Sequence, residues 1–328
     1  MLNNTQTMEA APAPAKNGGM LGRLLKYEFR ATARLYLPLY LVVLALGLLG
    51  RLSLFGVPWH VSYGGEGYGS WFSAGPQLSG FWGEALAVVI SLTLVAYVLA
   101  ALGAFVVHFI ITIQRFWKNL MGDEGYLMFT LPVSTDAILW SKAICAFVWS
   151  IATVVAVALS VLLLCVSPEL LRLMGNFIRQ NISPSTWRRI WIFLTSAFPA
   201  SLWAKMVLVG LLDGFEKLFV LYAAMAIGHT VSRHKVLASV GGYLAIAMVE
   251  GIVSGTLTAG LMPFLAKPVT DLPEDLLFVT EAEMAQFSAA LGQMLGGTML
   301  LGVVLSGILA AAAYLLARYL LQTQLNLE

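Results

Sequence analysis

Residues 115–142 read RFWKNLMGDEGYLMFTLPVSTDAILWSK. Three basic residues (Arg115, Lys118, Lys142) and three acids (Asp123, Glu124, Asp136) are concentrated here, between the long apolar runs 84–113 and 138–166. A helix needs about 20 apolar residues to cross a bilayer, so the stretch reads as a loop outside the membrane that joins two spans. Gly122 and Gly125 interrupt the helix leading in, and Pro132 disfavours helical backbone at Leu131. Ser134, Thr135 and Asp136 are N-cap candidates for the helix leading out. Between these punctuation marks, Tyr126, Leu127, Met128 and Phe129 form an apolar knob rimmed by Asp123 and Glu124. That composition suits docking into a cleft of another protein, or packing onto the chain's own inner surface.

Composition supports a membrane reading for the whole chain. Of 328 residues, 59% are apolar and 11% charged, against about 45–50% and about 25% in soluble domains. A water-soluble fold with that excess lacks the polar surface to cover itself. Six spans are expected, at about 35–55, 84–113, 138–166, 206–228, 236–262 and 291–320. The expected fold is an all-α integral membrane protein with one transmembrane domain, 20–328, behind a polar Ala/Pro-rich tail at 1–19. The tail carries too little apolar surface to fold and is expected to be disordered. No cleavable signal peptide is expected, because the first apolar run begins only near Leu35 and is long enough to be retained.

Residues 20–36 (MLGRLLKYEFRATARLY) form an amphipathic helix at 100° per residue. Arg23, Lys26, Arg30 and Arg34 fall in one narrow stripe, with Leu21, Leu24, Leu25, Phe29, Leu35 and Tyr36 opposite. Such a helix is expected to lie in the membrane interface, basic face toward anionic head groups. The same basic cluster, with Arg115, Lys118, Lys142, Arg233, Lys235 and Arg318, places both termini and the 115–142 loop on the cytoplasmic side. The 263–290 segment, with five acids and one lysine, suits the outer side.

Residues 167–205 interrupt the regular pattern. Ser167-Pro168 reads as an N-cap followed by proline at the first helical position. An apolar stripe of Leu170, Leu173, Met174, Phe177 and Ile178 then predicts an outer interfacial helix, with Arg172, Asn176 and Arg179 elsewhere on it. Residues 187–202 read as a second interfacial helix or a re-entrant segment, since Pro199 and Lys205 disfavour a clean span.

Candidate chemistry is sparse. The chain has no GK[ST] P-loop ending, no HExxH, no GxSxG and no CxxC. No catalytic or metal-binding residue, no cofactor of the chain's own and no nucleic-acid footprint is expected. Cys145 and Cys165 would lie about 30 Å apart on one helix, too far for a disulfide. His229 and His234 share a short loop and read as solvated. Ionisable residues within spans are costly and usually face the bundle interior. Asp213 and Lys217 are spaced to pair at i, i+4 near the outer end of the fourth span, with Glu216 beside them. They either neutralise one another or line a translocation path. Glu250, mid-span in the fifth helix, has no partner at helical spacing. It is protonated, paired with another helix, or part of that path. Gly251-x-x-x-Gly255 and Gly292-x-x-x-Gly296 predict close helix packing within the bundle.

The run GDEGYLMFTLPVS, preceded by RFWKNL and followed by ILWSK, resembles the inner loop of ABC-2-type transporter permeases, in the branch common in Gram-positive bacteria. LLKYEFRATARLYLPLY and AIGHTVSRHKVLASVGGYLAI resemble the same branch at the first span and at the join of the fourth and fifth. The resemblance implies the membrane subunit of an ATP-driven transporter, an exporter in function, in the plasma membrane. It implies two separate ATPase subunits carrying ATP and Mg, and a second permease subunit, the same chain or another. It implies a coupling helix in the 115–142 loop, with Asp123, Glu124, Tyr126, Leu127, Phe129 and Pro132 at the ATPase contact. The tail and the arginine-rich segment at 172–189 lie outside the resemblance. Two other classes stay open on the residues alone: an ion-coupled secondary transporter using Asp213, Glu216, Lys217 and Glu250, and a polytopic membrane enzyme or scaffold.

Overall fold

Long helices dominate the computed structural model, which describes residues 17–53, 59–64, 71–76, 80–121, 134–166, 168–231, 233–273 and 280–323. In chain order they are α1 (Asn17–Ser53), α2 (Gly80–Phe116), α3 (Thr135–Cys165), α4 (Pro168–Asn181), α5 (Pro184–Ala197), α6 (Ala200–Thr230), α7 (Lys235–Thr270) and α8 (Glu281–Thr323). The described residues between α1 and α2 add a short antiparallel hairpin, β1 (Trp59–Gly64) and β2 (Trp71–Pro76). A π-helical turn, Trp117–Met121, prolongs α2 toward the charged loop.

Among the described residues, five helices are long and apolar enough to cross a membrane: those in 21–53, 83–121, 135–165, 235–270 and 281–323. A sixth span is counted only when α5 and α6, bent by 54° at their junction, are taken together. The physical reason is the charge of Asp213, Glu216 and Lys217, which fall at the centre of α6 and interrupt its apolar run. Large apolar residues point outward along these helices, including Leu92, Leu99, Leu162, Leu244, Ile252 and Ile308. Outward apolar surface on this scale is what a lipid-solvated helical bundle presents. The architecture is that of a multi-pass membrane protein.

The helices pack as two groups. The first is α1 with α2 and α3; the second is α6 with α7 and α8, flanked by α5 on α8. The groups meet at one end of the molecule. There the largest buried core gathers Phe116, Leu120 and Met121 before the charged loop and Ile138, Leu139 and Ala143 after it. Phe219, Tyr222, Ala223 and Ala226 of α6 and Ala317, Leu320 and Leu321 of α8 complete it. Phe116 stacks on Tyr222, ring centroids 4.0 Å apart. The π turn widens the helix locally so that Leu120 and Met121 both enter this core.

Local sequence explains where the helices start. Ser134 caps α3, its Oγ accepting from the Ala137 backbone N–H at 3.3 Å. Ser183 caps α5 in the same way, with Pro184 at the first helical position. Thr280 and Glu283 form a reciprocal capping box ahead of α8, both bonds at 3.2 Å.

Three expectations are corrected here. The amphipathic stretch 20–36 is no separate element, since it runs unbroken into the first span as α1. At 37 residues α1 is about 55 Å long, against a hydrocarbon core of about 30 Å, so a large part projects beyond it. Its basic residues Arg23, Lys26, Arg30 and Arg34 are exposed as expected, but the opposite face buries Thr32 and Tyr36 among α2 and α3. The Gly251-x-x-x-Gly255 motif does not pack within the bundle: among the described residues nothing lies within 4 Å of where a Cβ would stand at either glycine. Gly292 does pack closely, a Cβ there falling 2.8 Å from the Ser196 carbonyl oxygen. His229 is not in a solvated loop. It closes α6, its ring 4.6 Å from that of Trp117 and its Nε2 buried.

Candidate functional site

Two charged clusters stand out, one at the base of the 115–142 loop and one at mid-helix in the second group. The loop's proposed docking residues, Asp123, Glu124, Tyr126, Leu127, Phe129 and Pro132, lie outside the described residues. Both of its ends are described, and both are tied down.

The first tie is Glu28 of α1. Its carboxylate receives Lys142 of α3 at 2.8 Å and lies 3.9 Å from Arg115 at the end of α2. The Lys142 and Glu28 side chains are 3% and 12% exposed, so this pair is held away from water. A cation buried this far persists only with an anion beside it. Around it Trp149 donates its indole N–H to Thr32 Oγ at 2.8 Å, and Thr32 Oγ donates to the Glu28 backbone carbonyl at 2.7 Å. Tyr36 bonds His108 at 2.9 Å and stacks on Trp149 with centroids 4.5 Å apart. A cavity of about 20 Å³, lined by Glu28, Arg115, Lys142 and their neighbours, has room for about one water.

The second tie is Asp136, in the first turn of α3. It accepts from Tyr314 Oη at 2.7 Å and pairs with Arg318 at 3.0 Å, both on α8. Trp140, one turn on, packs among Phe215, Phe219 and Tyr314. The start of α3 is thus bonded to α1 on one side and α8 on the other.

The mid-helix cluster centres on Lys217 of α6. Its ammonium donates to Glu250 of α7 and to Glu216 at 3.3 Å, and lies 3.8 Å from Asp213. The sequence left Glu250 three possibilities; the structure gives it a partner on another helix. It also corrects the expectation that Asp213 and Lys217 sit near a helix end, because α6 extends 13 residues beyond them on each side. Glu216 is buried, whereas the side chains of Asp213 and Lys217 are 52% and 49% exposed. Three carboxylates face one ammonium, so the cluster carries surplus negative charge unless protons or another cation balance it. Charges at mid-span do not face hydrocarbon. The exposed side of this cluster is therefore turned to water, to substrate or to another protein chain. Gly214 brings α3 close alongside, since a Cβ there would stand 2.3 Å from the Phe147 ring.

Among the described residues, no group of three His, Cys, Asp or Glu side chains is placed to hold a metal ion. Cys145 is buried and Cys165 exposed, both as free thiols.

The sequence reading missed Glu28 and the partnered role of Arg115, Lys142 and Asp136. A signal was present. Glu28 falls at the centre of the apolar face of α1, opposite the arginine stripe, where an acid needs a partner. Lys142 lies seven residues inside an apolar helix for the same reason. No protein-family model, curated protein sequence or solved structure matches this chain.

Proposed function

We propose that the chain is the membrane-spanning subunit of an ABC-2-type exporter, with ATP and Mg bound on two separate ATPase subunits and a second permease subunit completing the path. In this reading the protein sits in the cytoplasmic membrane with both termini inside, and the basic face of α1 meets the inner head groups. The observation that carries it is the double anchoring of the 115–142 loop. Lys142 is held by Glu28 of α1, with Arg115 at the longer distance of 3.9 Å from the same carboxylate, and Asp136 is held by Arg318 and Tyr314 of α8. A loop free at its ends would absorb a push by bending. One bonded at its base to α1, α2, α3 and α8 passes displacement to those helices as rigid bodies, the shear type of transition. Closure of docked ATPases on Tyr126, Leu127 and Phe129 would then move both helix groups relative to each other, because the core that joins them lies at this end.

The test is Phe129→Asp and Pro132→Gly in the full chain, with the ATPase expressed beside it. Both variants are expected to fold, to lose most of the co-purifying ATPase and to stop ATP-driven export. Normal co-purification and export in both would refute the assignment.

A second reading, an ion-coupled secondary transporter, is favoured by one observation: the surplus negative charge around Lys217 at mid-helix. Clusters of this kind serve as proton or cation relays in transporters. Transport that survives ATP depletion and collapses with the proton gradient would select it.

A further inference from the structure

We infer that α6 is the seam between two copies of this chain, each copy's Lys217 reaching Asp213 of the other across a two-fold axis. The inference rests on the membrane-subunit reading above and names its second permease subunit as another copy. Taken at 100° per residue, Met206, Gly210, Asp213 and Lys217 fall within about 60° of one another on α6. All four are exposed, and a Cβ at Gly210 would meet nothing within 4 Å among the described residues. The stripe is a helix face that carries an acid and a base at mid-span and that the described chain leaves open.

Hydrocarbon is an unsuitable neighbour for this face, because ionised side chains within a span turn to a bundle interior, a partner or water. The hydrogen-bonding capacity left over on the face identifies the partner. An ammonium has three N–H groups. Lys217 gives one to Glu250 and one to Glu216 at 3.3 Å, while the Asp213 oxygen, at 3.8 Å, is beyond hydrogen-bond reach. Asp213 in turn accepts no hydrogen bond among the described residues. Each copy therefore offers one spare donor and one spare carboxylate, a turn apart on the same stripe. The other acids of the cluster do not alter this match. Glu216 and Glu250 are withdrawn, their side chains 2% and 14% exposed against 49% for Lys217 and 52% for Asp213. What a neighbour meets is one acid and one base, which is self-complementary. A two-fold axis along the membrane normal sets two α6 helices side by side, and each ammonium then meets the other copy's carboxylate, an isologous contact. The axial offset of four residues, about 6 Å, is within reach of an extended lysine side chain. Gly210, one turn from Asp213, presents no side chain and lets the backbones approach, as small residues do where membrane helices associate. A lone cation would satisfy Asp213 and leave the ammonium donor idle; a second copy satisfies both.

The test uses the full chain with Cys165→Ala, reconstituted at low density into phosphatidylcholine–phosphatidylglycerol vesicles without ATPase or substrate. With one fluorophore fused at its C-terminus, this parent is expected to bleach in two steps per particle. Single cysteines then replace Gly210, on the stripe, or Leu208, which is exposed and about 160° away around the helix. Mild oxidation should link Gly210→Cys copies into dimers about tenfold or more efficiently than Leu208→Cys copies. Adding Asp213→Lys, which sets two ammonium groups against the second copy's two, should cut that linkage about tenfold. Asp213→Asn keeps an acceptor oxygen and should cut it less. Protection of the buried Cys145 thiol checks that each variant is folded. Single-step bleaching of the parent overturns the proposal, whatever the variants do. So does linkage that is absent at Gly210→Cys or equal at the two positions, in which case a charged maleimide tells water on the stripe from lipid. Linkage that Asp213→Lys leaves unchanged overturns the charge pairing. None of these outcomes bears on the ATPase contact, which Phe129→Asp and Pro132→Gly test separately.

Discussion

Removing the Glu28 carboxylate probes the loop base most directly. Glu28→Ala leaves the Lys142 ammonium, 3% exposed, without the oxygen now 2.8 Å away. Stripping one partner from a buried ion pair costs about 3–5 kcal/mol, because the other charge stays desolvated. Arg115 adds little, as its contact is 3.9 Å and its side chain 29% exposed; pairs like that contribute about 0–1 kcal/mol. At about 2 °C per kcal/mol for a chain of this size, the midpoint should fall by about 6–10 °C. In a Cys165→Ala background, which removes the exposed thiol, a thiol-reactive dye reads the transition, since Cys145 is buried in the folded chain and sits beside Thr32 of the same network. Scan rate must be held fixed, because unfolding of such proteins is commonly irreversible. Replacing both partners, Glu28→Gln with Lys142→Met, removes both charges and should return the stability to within about 1 kcal/mol of the parent. If Glu28→Ala shifts the midpoint by no more than a degree or so, or if the two single effects simply add in the double variant, the buried clamp is not the restraint described.

Two other perturbations follow from the geometry. Lys217→Met removes the cation that Glu216 and Glu250 share, so it should lower thermal stability by about 3 kcal/mol, and Lys217→Met with Glu250→Gln should recover much of the loss. Asp213→Asn should cost less than about 1 kcal/mol, its contact being long and half-exposed; equal losses for the lysine and aspartate variants would show that the cluster is not organised around Lys217. Gly228→Ala forces a Cβ to within 1.8 Å of Ser239 Oγ and 2.5 Å of the Lys235 carbonyl oxygen, an overlap worth about 1–3 kcal/mol. Gly251→Ala meets nothing within 4 Å in the described chain and should be neutral or slightly stabilising through helix propensity; the same dye assay compares them, and indistinguishable midpoints would contradict the packing.

What the sequence made legible follows from the kind of signal each feature leaves. Spans are written in long apolar runs, so 84–113 falls inside α2 and 138–166 overruns the end of α3 by one residue. Caps are written in single residues, and Ser134 was among three candidates at its helix start. Partners across helices leave no such local mark. Glu28 and Lys142 are 114 positions apart, and Lys217 and Glu250 are 33 apart. Only the burden of an unpaired charge on an apolar face points to a partner, and it does not say which one. The fate of the two glycine motifs was illegible for the same reason. Gly251 and Gly292 have the same local pattern, yet a Cβ on the first meets nothing within 4 Å among the described residues and one on the second meets the Ser196 carbonyl.

The two clusters are physically adjacent through a single layer of aromatic rings. Trp140 lies between Asp136 and Lys142, the residues that tie the start of α3 to α8 and α1. Its ring is 5.5 Å from that of Phe215, which in turn stacks on Phe147 at 4.6 Å. Phe215 precedes Glu216 and Lys217 on the same turn of α6. Gly214 on that turn has no room for a Cβ against Phe147, so α3 and α6 approach closely here. Packed rings at these separations transmit motion because the interior between them is dense. A shift of the α3 start must therefore be met by a shift of the α6 segment that bears the charges, or by breaking the Asp136 and Lys142 bonds. Lys217–Glu250 ties α7 to that segment, so the exposed side of the cluster is where such a shift would be felt between α6 and α7.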